Sequence, residues 1–260
     1  MGAHSAVWES AGSDGVEACM SKVSVSVLLA ASGLLIAAPS RASSKDEPVD
    51  RIREAARVFN EIQSAKDKGI PDALLSKANG IIIVPGLKRA GFVVGGEYGK
   101  GVFVARLPNG RWSAPSTVRI EGGSIGFQIG AGETDLIMLA MNEDAVKQLM
   151  KTGVKIGGSL MAAAGPLGRE ANAATTPIPA SGLLAYSRAR GVFAGATING
   201  STLRSDDADN AVIYGHRVDQ SDILNGKIKP TAAAEPLLSA LKRYFRENPS
   251  TEPPPKKQRK

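Results

Sequence analysis

The chain has 260 residues, of which 43% are hydrophobic and only 5% aromatic, with 29 glycines and a formal charge of +7. The apolar content excludes a disordered chain, and the length allows one sizeable domain. A single cysteine excludes an internal disulfide and any cysteine-built metal centre, while the positive charge suits an anionic partner without naming it.

In chain order, the first pattern is a leader. Lys22 precedes an apolar run, Val23 to Ala38, and Ser40-Arg41-Ala42 places small residues at the two positions a signal peptidase reads. The expectation is export with cleavage after Ala42, because the run is short for a membrane span. Residues 1–19 precede the leader without structural pattern and read as an over-extended start. Cys19 lies before the apolar run, where a lipidated cysteine would not sit, so the exported chain is expected to carry no thiol.

Residues 48–67 repeat apolar side chains at Val49, Ile52, Ala56, Phe59 and Ile62, which is helical spacing. Pro71-Asp72 opens a short helical turn and Asn79-Gly80 closes it. A strand-rich region starts at Ile81-Ile-Ile-Val84. A helix is expected over 143–151, a long loop over 166–182 and a last helix over 233–246. The residues from 43 to 247 read as a single domain, and the Pro-rich, basic tail 248–260 as disordered.

Within the strand region one pattern occurs four times: Gly91–Gly96, Gly126–Ala131, Gly153–Gly158 and Gly191–Ala196. Each reads Gly, apolar, any, apolar, Gly, then Gly or Ala. Alternation along a strand puts the two apolar side chains on one face and the glycines on the other. A strand glycine costs roughly 0.5–1 kcal/mol relative to alanine, so its repetition calls for sharp coiling or close backbone approach. The structural glycines are Gly91, Gly95, Gly96, Gly126, Gly130, Gly153, Gly157, Gly191 and Gly195. The expected fold is α+β: a strongly curved, mostly antiparallel sheet or partial barrel, packed with an N-terminal and a C-terminal helix. Pro108-Asn109-Gly110 and Asn199-Gly200 supply turns. These glycines do not form a nucleotide loop. Gly99-Lys100 lacks the first glycine and the hydroxyl residue of a Walker loop, and GEYGKG runs into a strand, not a helix.

The segments AGFVVGGEYGKGVFVAR, GRWSAPSTVRIEGGSIGFQIGAGETDLIML, AAAGPLGREANAAT, AYSRARGVFAGATINGSTL and DNAVIYG resemble the SYLF-domain family in order and spacing, over roughly residues 50–246. The resemblance implies a lipid-binding module. Eukaryotic members of that family bind phosphoinositides and often carry SH3 or FYVE domains. This chain is similar to the standalone exported bacterial members, for which the resemblance implies another anionic phospholipid and a peripheral place at the cell envelope.

Candidate head-group contacts are Lys88 and Arg89 before the first repeat, Lys100 inside its hairpin, and Arg106 and Arg111 around the Pro-Asn-Gly turn. The first helix is a second candidate for membrane contact, through Arg53, Arg57 and Phe59, although packing on the sheet explains its apolar stripe equally. The basic tail 256–260 suits either a tether or solvated charge. Catalysis has little to build on. Beyond the leader there is one histidine, His216, and no Gly-x-Ser-x-Gly elbow, so a hydrolase is the weaker reading. Glu121, Glu133 and Asp135 border the second repeat, and Ser205–Asn210 lacks the pattern of a calcium loop and fits a helix or turn start. No metal ligand set, cofactor or nucleic-acid partner is expected. An unidentified protein partner is the alternative to lipid.

Overall fold

A computed structural model describes residues 47–64, 69–91, 94–125, 130–151, 153–157, 160–167, 179–180, 182–189, 192–198 and 200–244, all within one compact unit of residues 44–260. The leader and the basic tail lie outside the described residues.

The strands are β1 (Gly80–Gly91), β2 (Val94–Ala105), β3 (Ser116–Ile125), β4 (Gly130–Ala140), β5 (Val154–Ile156), β6 (Ala162–Ala164), β7 (Leu183–Ala189), β8 (Val192–Gly195) and β9 (Ser201–Ser205). They form one sheet in the order β5-β9-β3-β2-β1-β4-β7-β6, with β8 also on β7. Every pairing is antiparallel except β6 with β7. A bridge from Ile156 to Leu160 draws the two ends together, so the sheet is a nearly closed barrel. The expected curved α+β architecture is therefore the observed one.

Alternation gives the sheet two apolar faces. Ile82, Val84, Leu87, Phe103, Val118, Ile120, Leu136, Met138 and Leu203 point inward and pack together. Helix α3 (Glu143–Leu149) adds Ala145, Val146 and Leu149 to that interior, and α5 (Gln220–Leu224) adds Leu224. Outward-facing Ile81, Ile83, Val102, Val104, Ile137, Leu139, Leu184 and Tyr186 are covered by α1 (Glu47–Ser64), α2 (Asp72–Leu75) and α6 (Glu235–Tyr244). The run Ile81–Val84 is continuously apolar because both of its faces are covered. Helix α1 buries Ile52, Ala55, Ala56, Val58, Phe59 and Ile62. Its four larger apolar side chains contribute about 1.5–3 kcal/mol each by leaving water.

The four glycine repeats do not share one role. Gly91 ends β1 and Val94 begins β2, so the first repeat is a hairpin junction and not a single strand. The second joins β3 to β4, with Gly126 outside the described residues and Gly130 opening β4. The third is a strand, with Gly153 (φ 72°) and Gly157 (φ 96°) turning the chain at either end of β5. The fourth gives β8, with Gly191 outside the described residues. There the middle residue is the one that packs: Phe193 stacks on the outward-facing Tyr186 at 5.5 Å, while Val192 is 69% exposed. Close backbone approach does occur. A methyl group on Gly195 would collide with the carbonyl of Gly165, and one on Gly101, outside the repeats, with the carbonyl of Ile83. The Gly101 contact lies at a bulge where β1 shifts register between Ile83 and Lys88.

Candidate functional site

The five candidate head-group residues fall into three places. Lys88 lies in β1 near the glycine-rich end, between Tyr98 of β2 and Glu133 of β4. It is exposed and has no ion partner among the described residues. Arg89 alternates to the interior side, where its Nε donates to Glu97 Oε2 at 2.9 Å. Ser201 donates to the other oxygen of the same carboxylate. Arg106 and Arg111 lie past the opposite end of β2. Arg106 comes eight residues after Tyr98, about 25 Å along an extended strand. Its Nη1 donates to the Ser76 carbonyl at 3.2 Å, and its guanidinium sits 5.8 Å from the Trp112 ring centroid. Arg111 is exposed on the turn closed by Gly110 (φ 78°).

Lys100 is not at a hairpin end. It sits in mid-strand, and its ammonium lies 2.9 Å from Asp206 Oδ2 and 3.0 Å from Asp209 Oδ2. Asp209 also accepts from Arg51 Nη1 at 2.5 Å. These acids come from α4 (Asp207–Tyr214), whose N-cap is Asp206, its side chain accepting from the Asp209 N–H. Asn210 completes the assembly by accepting from the Thr117 backbone N–H at 2.7 Å and the Thr117 hydroxyl at 2.8 Å. Burial works against the charge of Lys100, but the two carboxylates outweigh it and hold the ammonium above its ordinary range. Burial likewise pushes Asp206 up, and Lys100 with the capped Asp209 N–H pulls it below the carboxylate range. Two cations and two anions from α1, β2 and α4 thus neutralise one another.

Helix α1 turns its candidate residues in opposite directions. Phe59 is fully buried against the sheet, so in this structure it packs and does not face a membrane. Arg53 pairs with Asp50 at 2.7 Å, and Arg57 bridges Glu54 and Glu61, all on the solvent side. Glu61 also accepts from Arg188 at 2.5 Å, and Arg188 grips Asp135 at 2.6 Å. Asp135 in turn accepts from the Gly86 N–H at 3.0 Å. The helix is therefore fastened to α4 by the ion pair at Arg51 and to the sheet by the one at Glu61.

The catalytic alternatives are not assembled. His216 is exposed with Nδ1 2.9 Å from the Tyr214 carbonyl. The groove beside it is lined by Arg217, Val218, Asp219, Asp222 and Ile228, which offer no nucleophilic hydroxyl or thiol. Asp135 is occupied by Arg188, and Glu121 pairs with Arg119 at 3.2 Å. Among the described residues no three His, Cys, Asp or Glu side chains are grouped to hold a metal ion.

Sequence reasoning missed three cations. Arg119, Lys155 and Arg204 each follow an inward apolar residue, in Val118-Arg119-Ile120, Val154-Lys155-Ile156 and Leu203-Arg204, so each projects outward from β3, β5 or β9. The apolar–cation–apolar alternation was present in the sequence, but only the strand order makes them neighbours.

The family model described as "Las17-binding protein actin regulator" matches residues 121–244. LAS seventeen-binding protein 3 of Saccharomyces cerevisiae is 38% identical over 188 residues, which cover 71% of this chain and 41% of that protein. SH3 domain-containing YSC84-like protein 1 of Homo sapiens is 37% identical over 206 residues, 78% of this chain and 59% of that protein. The chain thus spans roughly two fifths to three fifths of these relatives' length. No solved structure matches it. The matched residues include β4 and β7, the buried Asp206–Asn210 cap and the closing helix α6, so the chain belongs to the SYLF-domain, or Ysc84, family.

Proposed function

We propose that this protein is a non-catalytic binding module that docks on anionic phospholipid surfaces through cations on the outer face of its sheet. The observation that carries this reading is the distribution of compensated and uncompensated charge. Lys100, Arg51 and Arg188 are consumed by internal carboxylates, whereas Lys88 stands exposed beside the glycine-rich end without an ion partner among the described residues. A long cationic side chain on an open surface, with no enclosing pocket, suits a head-group layer better than a small free metabolite. The leader at Met20–Ala42 supports export, so the membrane concerned is that of the cell envelope, and attachment is peripheral. Among the described residues no helix is long and apolar enough to cross a membrane.

The test is sedimentation of the protein with phosphatidylcholine vesicles, with and without phosphatidylglycerol, at rising salt. The expected outcome is binding only to the anionic vesicles, falling as salt screens the surface. Equal recovery with neutral and anionic vesicles overturns the reading. A protein partner is the second reading, favoured by the yeast relative's name as a binding protein. Affinity capture from envelope extracts, with and without detergent, separates the two.

A further inference from the structure

The registers of five strands align side chains in two rows across the outer face of the sheet. One row runs Lys88, Tyr98, Glu121, Thr202 and Lys155 through β1, β2, β3, β9 and β5. The next, two residues along each strand, runs Lys100, Arg119 and Arg204. Cross-strand neighbours stand about 5 Å apart and diagonal ones about 7–8 Å. Like charges placed directly opposite destabilise a sheet, so two arginines face to face need a compensating anion.

The fold supplies only part of that compensation. Lys100 is neutralised by Asp206 and Asp209, and Arg119 leans on Glu121 with both side chains about 40% exposed. Arg204 and Lys155 are exposed and have no ion partner among the described residues. Tyr98, 47% exposed, adds a phenolic hydroxyl in the row of Thr202. Helix α1 touches β1 and β2, α4 touches β3, and Asn210 of α4 donates to Ser205 of β9, while Arg204 and Lys155 stay exposed beside them.

We infer that this two-row face is the surface that meets phospholipid phosphates, with Arg119, Lys155 and Arg204 as the principal contacts and Tyr98 and Thr202 as hydroxyl donors. Lys88 lies at its margin. The inference rests on the membrane-binding reading above and assigns its site. Arginine pairs bidentately with phosphate oxygens, and neighbouring strands set the cations close enough to share adjacent head groups. The outer face of a barrel is convex, so it presents these groups to a plane and does not enclose a small anion. Of the five cations the sequence suggested, Arg106 and Arg111 lie towards the opposite end of the strands.

The experiment compares the full chain with R119Q/K155Q/R204Q and with a control of equal charge loss, K77Q/K151Q/K229Q, whose lysines are exposed off this face. At about fivefold per cation near an anionic surface, the first variant loses on the order of a hundredfold in affinity for phosphatidylglycerol vesicles. The control is expected to stay within a few-fold of wild type. R119K/R204K keeps the charge but loses the bidentate geometry and is expected to bind between wild type and the triple variant, and a urea midpoint for each variant establishes that it is folded. If wild type binds and the two triple variants weaken equally, net charge alone is responsible and the site assignment falls. If wild type binds no anionic vesicle, the membrane reading itself falls. Inorganic phosphate, added at constant ionic strength, is expected not to displace the protein. Displacement overturns the lipid assignment in favour of a small-anion site.

Discussion

Lys100 shows how a residue can look like a ligand contact in sequence and serve the fold in space. A lysine beside glycines in a hairpin suggested a solvated cation, because nothing local in GEYGKG reveals that Asp206 and Asp209 return to it from more than a hundred residues away. Replacing it with methionine leaves two buried carboxylates with Arg51 and the more distant charge of Arg119. The expected loss is roughly 3 kcal/mol, the low end for breaking a buried ion pair, since the lysine side chain keeps some contact with water. Urea denaturation at neutral pH measures it. The pH dependence follows from the signs of the shifts. Asp206 is held below its unfolded value near 3.9, so its contribution is complete above that pH and fades as pH falls through the folded value. Lys100 is held above its unfolded value near 10.4, so its contribution persists below that pH and fades only in stronger alkali. The gap between wild type and Lys100→Met is therefore widest from about pH 5 to 10 and narrows below about pH 4. An unchanged gap at low pH contradicts this account.

At the scale of the element, periodicity served well where one face meets a core. Helix α1 was expected over 48–67 and occupies Glu47–Ser64, and the last helix was expected over 233–246 and ends at Tyr244 after a short 3₁₀ turn. The two helices lie against each other and α1 lies on β1 and β2, which explains why its apolar stripe resembles a membrane-binding one: a sheet and a bilayer both reward an apolar face. Phe59→Ala is expected to cost about 3–5 kcal/mol through the cavity it leaves, while Arg53→Ala, on the solvent side, changes stability by less than about 0.5 kcal/mol. Equal thermal midpoints for the two variants exclude the packed arrangement of α1. The strands were less legible. The glycine pattern marked where chain direction changes as often as where a strand runs, and a period of two cannot distinguish a five-residue strand from a junction between two longer ones. Helices α4 and α5 were missed because they are short and weakly periodic, although the Asp206 cap was visible as a helix start.

For the molecule as a whole, the curved α+β design was legible and the placement of charge was not. Composition and alternation implied a coiled sheet with helices at both ends of the chain, since glycine-rich apolar strands have few other ways to close. The basic face depends on β9 lying between β3 and β5, strands that precede it by dozens of residues, and no local pattern encodes it. Strand order also sets which parts of the molecule open first. Residues Ile81–Ile83 are hydrogen-bonded to β2 on one side and β4 on the other, and apolar layers cover them above and below. Their amide protons can reach deuterated water only when the whole domain unfolds, so their exchange free energies should equal the global stability measured in denaturant. The amides of β5 and β8, three- and four-residue strands, should exchange through small local openings many times faster. Hydrogen–deuterium exchange read by NMR will then separate a slow spine at β1 from a fast margin at β5, so that the edge bearing Lys155 is free to adjust while the spine behind it holds still.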